Sequence, residues 1–381
     1  MFRSTLIAGA ATAALLLLTL GAGPASAATW TVVPAPPTGQ GGAVNSISAP
    51  TDTDAWAVGD DGSAAFSDHW NGTAWSQVPI PSFPCTGVRC YVHLTKVSAS
   101  ATNAWALGAY SPKPGYQSLF TLYWNGSTWT SSAGSLGATV DVVSSTDAYA
   151  PNGPYVGRWN GTAWSDLPTP PNPPGPDEGD LTTISATSAT NVWAVGTYDP
   201  AYSSESYDNY SVHWNGSAWT EVPMPLPSSS DPLLDYQINS IDAISPTNVW
   251  AVGDSGDNVA GFYSSGGGGT PQATLIEHYN GTSWSIVSSP ATGSAPALTG
   301  VTSSSAGIVW AVGYDTGATG SQSLIENWNG SAWTTVSSPE VGSSDGLSSV
   351  STTPGDAIVW AAGTSSNGTT ASANPLVLQN G

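Results

Sequence analysis

An all-β propeller of seven four-stranded antiparallel blades, closed by an N-terminal strand that completes the last blade, is predicted from three features of the sequence. An aromatic residue followed by Ala recurs at Trp56, Trp105, Tyr149, Trp193, Trp250, Trp310 and Trp360, at spacings of 49, 44, 44, 57, 60 and 50 residues. After each of the first six comes Asn-Gly with a Trp three residues past the Gly: Asn71 with Trp75, Asn125 with Trp129, Asn160 with Trp164, Asn215 with Trp219, Asn280 with Trp284 and Asn329 with Trp333. The seventh copy stops at Asn380-Gly381, and Trp30 supplies its missing Trp. Units of about fifty residues with four strands each are blades, and a sheet shared by both chain ends makes a closed ring.

The first 27 residues read as a secretory leader: Arg3, an apolar run from Leu6 to Leu20, then the small-x-small pattern Ala25-Ser26-Ala27. The run is too short to span a bilayer comfortably, and no second one follows, so no membrane insertion is expected. The exported chain would begin near Ala28 and form a single propeller domain over residues 28–381.

With 26 Asp and Glu against five Lys and Arg, the formal charge is −21. Only Arg89, Lys96, Lys113 and Arg158 remain as strong bases after the leader. Such a field repels nucleic acid and anionic membranes. Eighteen Trp and 14 Tyr supply far more burial than a disordered chain carries. Cys85 and Cys90, the only cysteines, are expected to form a local disulfide in the oxidising exported compartment.

The fourth repeat sets out the unit: strands over Leu181 to Ala186, Val192 to Thr197, Tyr210 to Trp214 and Ala218 to Val222. The first is rich in Ser and Thr, as suits seven strands crowding a channel. The second alternates apolar and small residues, Asn215-Gly216 suits a tight primed hairpin turn, and Pro223 stops the fourth at the outer edge. Every Trp falls on one of three repeat positions and has a scaffold role available. His69, His213 and His278 share one position on separate blades, which argues for structure and against a shared metal site.

The run Thr190-Asn191-Val192-Trp193-Ala194-Val195-Gly196, followed by Gly216 and Trp219, resembles the Asp-box (BNR) and photosystem-assembly-factor type of propeller repeat. The resemblance covers essentially residues 28–381. It departs at the turn, where Trp-Asn-Gly-x-x-Trp stands in place of Ser-x-Asp-x-Gly-x-x-Trp. It implies the fold. Sialidases of that family clamp a carboxylate with three arginines, and the exported chain has two, Arg89 and Arg158.

Function is expected on one face. Connections between the first and second strands, and between the third and fourth, are short and uniform. Those between second and third strands, and from blade to blade, vary and carry the insertions. Loops on a rigid scaffold, rich in Tyr, Ser, Gly and Asp, are the vocabulary of recognition surfaces. The candidate ligand-binding residues are Tyr110, Tyr116, Tyr198, Tyr202, Tyr207, Asp208, Tyr210, Asp257, Tyr263, Tyr314 and Asp315, with Tyr as platforms for sugar rings and Asp accepting hydroxyl hydrogen bonds. The leading expectation is a secreted, monomeric, non-enzymatic module recognising a glycan or an extracellular protein, with no cofactor, no metal and no catalytic residues. The alternatives are a glycoside hydrolase or lyase using paired carboxylates from Asp60, Asp199, Asp254 and Asp315 at the channel mouth, and a structural surface component. Asp254 to Asn258 reads as a solvated loop that could bind calcium weakly, and Gly266 to Gly269 as a flexible stretch without the Lys of a phosphate cradle.

Overall fold

The computed structural model describes residues 29–381 apart from 36–40, 63, 85–90, 114–115, 133–135, 175–177, 201–206, 227–233, 258–270, 292, 305–306, 318–319, 356 and 368–372. The leader, the Cys85–Cys90 disulfide, Tyr202 and Tyr263 therefore lie outside the described residues, as does the side chain of Asp257.

No helix occurs among the described residues; the strands form seven four-stranded antiparallel sheets. Blades 1 to 6 span residues 43–77, 92–132, 141–166, 180–222, 234–286 and 296–335, each running from inner to outer strand in chain order. Blade 7 takes three strands from 344–380, and Thr31–Val32 pairs outside them with Thr31 opposite Gln379 and Val32 opposite Leu378. The ring closes through its two ends, as the interrupted repeat predicts.

Tryptophan explains why neighbouring blades adhere. The second-strand Trp of each blade meets the fourth-strand Trp of the next, edge to face: Trp56 with Trp129 at 5.1 Å, Trp105 with Trp164 at 5.1 Å, Trp193 with Trp284 at 5.8 Å, Trp250 with Trp333 at 5.3 Å and Trp360 with Trp75 at 5.5 Å. Trp310 meets Trp30 in the same way at 5.4 Å, so the seam repeats the ordinary interface. Such pairs add to the apolar area they bury. Blade 3 substitutes Tyr149, whose hydroxyl donates to Asp147 at 2.8 Å beneath Arg158, which donates to the same carboxylate at 2.8 Å. Its altered repeat is thus a repacked corner.

Inner strands carry a β-bulge at one position in six blades, at Asn45, Thr95, Thr182, Asn239, Thr299 and Ser348. Beyond it runs a belt around the channel. Ser48 accepts the Ala99 amide, Ser98 that of Val142, Asp141 that of Ala186 and Ser185 that of Ala243. Asp242 accepts from Ser303, Thr302 from the Thr352 amide, and Ser351 from the Ala49 amide, which completes the circle. The inner Ser and Thr are structural donors and acceptors as well as small side chains that fit the taper.

The Asn-Gly hairpins differ from the expected two-residue turn. Trp214 pairs with Trp219, and between them Asn215 Oδ1 accepts the amides of Ser217 and Ala218 at 2.9 and 3.0 Å. The side chain takes over acceptor work that a primed turn leaves to the backbone. Gly216 sits at φ +94°, and a Cβ there would come within 2.6 Å of Thr190 Cγ2. Gly216→Ala is expected to cost about 1–2 kcal/mol in urea unfolding, and an unchanged midpoint would contradict this.

Candidate functional site

In the antiparallel sheets the second-to-third-strand and blade-to-blade connections leave from one and the same face. Two matching constellations stand there. In blade 1, Asn45 at the bulge donates to the Leu94 carbonyl of blade 2 at 2.8 Å and to Asp60 at 3.3 Å, and Tyr91 donates to Asp60 at 2.6 Å. Burial, then the Asp60 hydrogen bond, pushes the Tyr91 phenol up to about 12. In blade 5, Asn239 donates to the Leu298 carbonyl of blade 6 at 2.9 Å and to Asp254 at 2.7 Å. Burial raises Asp254 to about 6, the Asn239 bond opposing it, and Asp254 helps to hold the Tyr314 phenol up after burial itself.

Each Asn needs its bulge, because the extra residue turns a polar side chain toward the next blade. The couples are joints between blades. They also hold two carboxylates and two phenols at the rim.

Nine large apolar side chains are exposed among the described residues, and four of them belong to blades 2 and 3. Tyr91 is 38%, Tyr116 60% and Leu119 54% exposed in blade 2, and Tyr155 is 43% exposed in the adjacent blade 3. Single exposed hydrophobics are ordinary, but all three exposed tyrosines among the described residues fall in this sector. Beside it Tyr110 packs with Phe83 and Phe120 at 5.4 and 6.2 Å. A second feature is a cavity of about 210 Å3 between blades 6 and 7, lined by Tyr314, Ser321, Ser344, Asp345 and Thr364.

The expected residues do not make one site. Tyr110 and Tyr116 lie in the blade 2 sector. Tyr198 and Tyr210 are buried against each other at 5.9 Å in the core between blades 3 and 4, so they are packing residues and offer no platform. Tyr207 and Asp208 are partly buried at the start of the third strand of blade 4, and Asp208 accepts from Tyr198 at 3.5 Å. Asp257 ends the second strand of blade 5. Tyr314 opens onto the smaller cavity, while the Asp315 carboxylate accepts the Ala295 amide at 3.1 Å and closes a loop.

The three histidines take the structural role expected. His69, His213 and His278 stand opposite Trp56, Trp193 and Trp250 in register and lie against those rings at 4.5, 4.3 and 4.2 Å. Each reaches the corner between first and second strands: Asp54 at 2.6 Å, Asn191 at 2.8 Å and Asn248 at 2.8 Å.

Lys96, Asp141 and Asp242 were absent from the expected site. All three face the axial channel, a space of about 150 Å3 walled largely by Ser and Thr. They are enclosed by protein yet touch that space. Burial lowers Lys96 and raises Asp141, each moderated by the other's charge. Asp242 rises to about 7, chiefly from burial. The signal available in sequence was their position: Lys96 replaces the Ser46 or Thr183 of other inner strands, and Asp141 and Asp242 replace Ser48 or Ser185. Tyr91 and Tyr155 were also missed; they lie in blade-edge segments whose exposure the repeat does not fix.

The acids considered for catalysis have structural partners of their own. Asp60 and Asp254 are bonded within separate joints on non-adjacent blades, and Asp315 serves its own loop.

No family model and no curated protein matches the chain. Solved structures do: the WD40 repeats of RRP9 with a TM-score of 0.56 at 11% identity, over 93% of this chain and 98% of that one. U3-55K follows with 0.55 at 11%, over 92% and 98%, and the WD40 propeller domain of Doa1 with 0.51 at 11%, over 92% and 97%. This likeness establishes a class by fold, the β-propeller, and the sheet order sets the blade count at seven.

Proposed function

We propose that the chain is an exported, monomeric, non-enzymatic binding module that takes carbohydrate on the long-loop face, in the sector of blades 2 and 3. The reading rests on one observation, the exposed Tyr91, Tyr116, Leu119 and Tyr155 on adjacent blades. Tyrosine offers a flat apolar ring with a polar tip, which suits a sugar's C–H face and hydroxyls. The repeat is assigned to the Asp-box type with a degenerate turn, supported by Thr190 to Gly196 and the Gly216–Trp219 spacing. Export rests on the leader pattern at Arg3 to Ala27, and N-terminal sequencing of secreted protein should begin at Ala28.

A glycan array with residues 28–381 tests recognition. Saturable binding is expected, weakened about tenfold or more by Tyr116→Ala with Tyr155→Ala, since each stacked ring contributes on the order of 1 kcal/mol. Equal binding by the double variant would move the site elsewhere. Silence on the array beside capture of a defined extracellular protein would favour a protein ligand, and release of reducing ends from polysaccharide would favour an enzyme.

A further inference from the structure

On the opposite, short-turn face, blades 1 and 2 part around a cavity of about 400 Å3. Trp124, the His69 ring, Asp54, Ser100 and Asn103 line it, with the buried Trp56 behind the two rings. Trp124 packs on Trp56 at 4.9 Å.

The blade 1 corner differs from its counterparts. In blades 4 and 5 the histidine meets a neutral Asn and lies nearly flat on its Trp, at 18° and 24°. In blade 1 the partner is the carboxylate of Asp54, and the ring is tilted by 36°. Blade 3 also has an acid at its corner, Asp147, but Arg158 neutralises it. Among the described residues Asp54 is paired only with the His69 ring, and no Lys or Arg lines the cavity. His69 donates its Nε2 hydrogen to Oδ1, which leaves Oδ2 of the partly exposed carboxylate uncommitted. On the blade 2 side Tyr123 stands where the histidine would be, Ser100 donates to Asn103 Oδ1 in its place, and the buried Asn103 amide nitrogen has no partner among the described residues.

We propose that this cavity binds an organic ammonium cation, with Asp54 as counter-charge and Trp124 and the His69 ring as aromatic walls. Aromatic faces attract a cation within about 6 Å, most strongly where water is excluded. A chain of formal charge −21 concentrates cations around itself, and the carboxylate rejects anions. The volume accommodates a compact head group. This site lies on the other face from the proposed glycan surface and stands or falls separately from it.

Choline chloride is the probe, titrated at constant ionic strength against KCl, with intrinsic Trp fluorescence and calorimetry as readouts. Saturable binding is expected with choline and not with KCl. Asp54→Asn installs the Asn–His pair that blades 4 and 5 already fold with, and should weaken binding about tenfold or more. Trp124→Ala should do the same, while Tyr116→Ala with Tyr155→Ala should leave it unchanged. Saturation transfer from choline methyl protons to indole protons of the wild-type protein gives a reading that does not depend on any variant folding. Absence of a choline response beyond KCl, absence of that transfer, or full binding by folded Asp54→Asn would each overturn the proposal.

Discussion

Glu277→Leu is expected to stabilise the protein, by about 4 kcal/mol at pH 8 and by much less near pH 5. Glu277 is fully buried in the third strand of blade 5, and neither carboxyl oxygen has a hydrogen-bond partner among the described residues. It stands opposite Ala251, as Leu122 stands opposite Ala106 and Leu378 opposite Ala361. Those leucines are also fully buried, so the position accepts Leu in the same fold.

Burial raises Glu277 from 4.5 to about 8. The folded state therefore holds a proton that the unfolded chain releases near pH 4.5. Stability from this group is complete below pH 4.5, falls as pH rises toward 8, and is flat above that. A shift of that size corresponds to about 4 kcal/mol by linkage. Urea unfolding from pH 4.5 to 8.5 should show a falling midpoint in the wild type and a shallower fall in Glu277→Leu. Parallel curves would mean that the carboxyl finds a partner in solution. Asp68 and Glu326 occupy the same position in blades 1 and 6, and burial raises both, Asp68 to about 7, so some slope should persist in the variant.

Removing residues 29–33 should abolish cooperative unfolding and produce association. Trp30 is buried against Trp310, Leu347, Leu376 and Leu378, and Trp30→Ala alone should cost about 3–5 kcal/mol. The longer deletion also removes the pairing of Thr31 and Val32 and the bond from the Val33 amide to the Val377 carbonyl at 2.9 Å. The strand Asn374–Asn380 then becomes an open edge, a template for another chain. Light scattering should report oligomers. A monomeric deletion variant with an unchanged midpoint would show that the three-stranded blade suffices.

Much of this architecture was legible because its markers act locally. A Gly at positive φ in every described Asn-Gly hairpin, and a Trp–Trp pair at every interface but one, leave the same residues at the same spacing. The seam was legible for the same reason, since Trp30 meets Trp310 as its equivalents meet theirs. The belt was not, because Ser and Thr in a strand look alike whether they fill space or bind a neighbour's amide, and the bulge that fixes their facing leaves no reliable trace in composition. Tyr198 reads as a loop aromatic because the apolar alternation runs only to Thr197, and Tyr210, first in its strand, reads as part of the loop beside it; pairing extends to Tyr198 opposite Asp208, and both rings lie in the core. Lys96, Asp141 and Asp242 were hidden by a reading of inner strands as small and neutral.

The belt also has a sense of rotation. Every rung runs from a backbone or hydroxyl donor in one blade to an acceptor in the blade before it, so the bond dipoles chase one another head to tail around the axis. Laid around a closed circle, the components of these dipoles in the plane of the ring cancel across the axis. The fastening therefore ties every blade to the one before it in a single sense without building up a dipole across the ring.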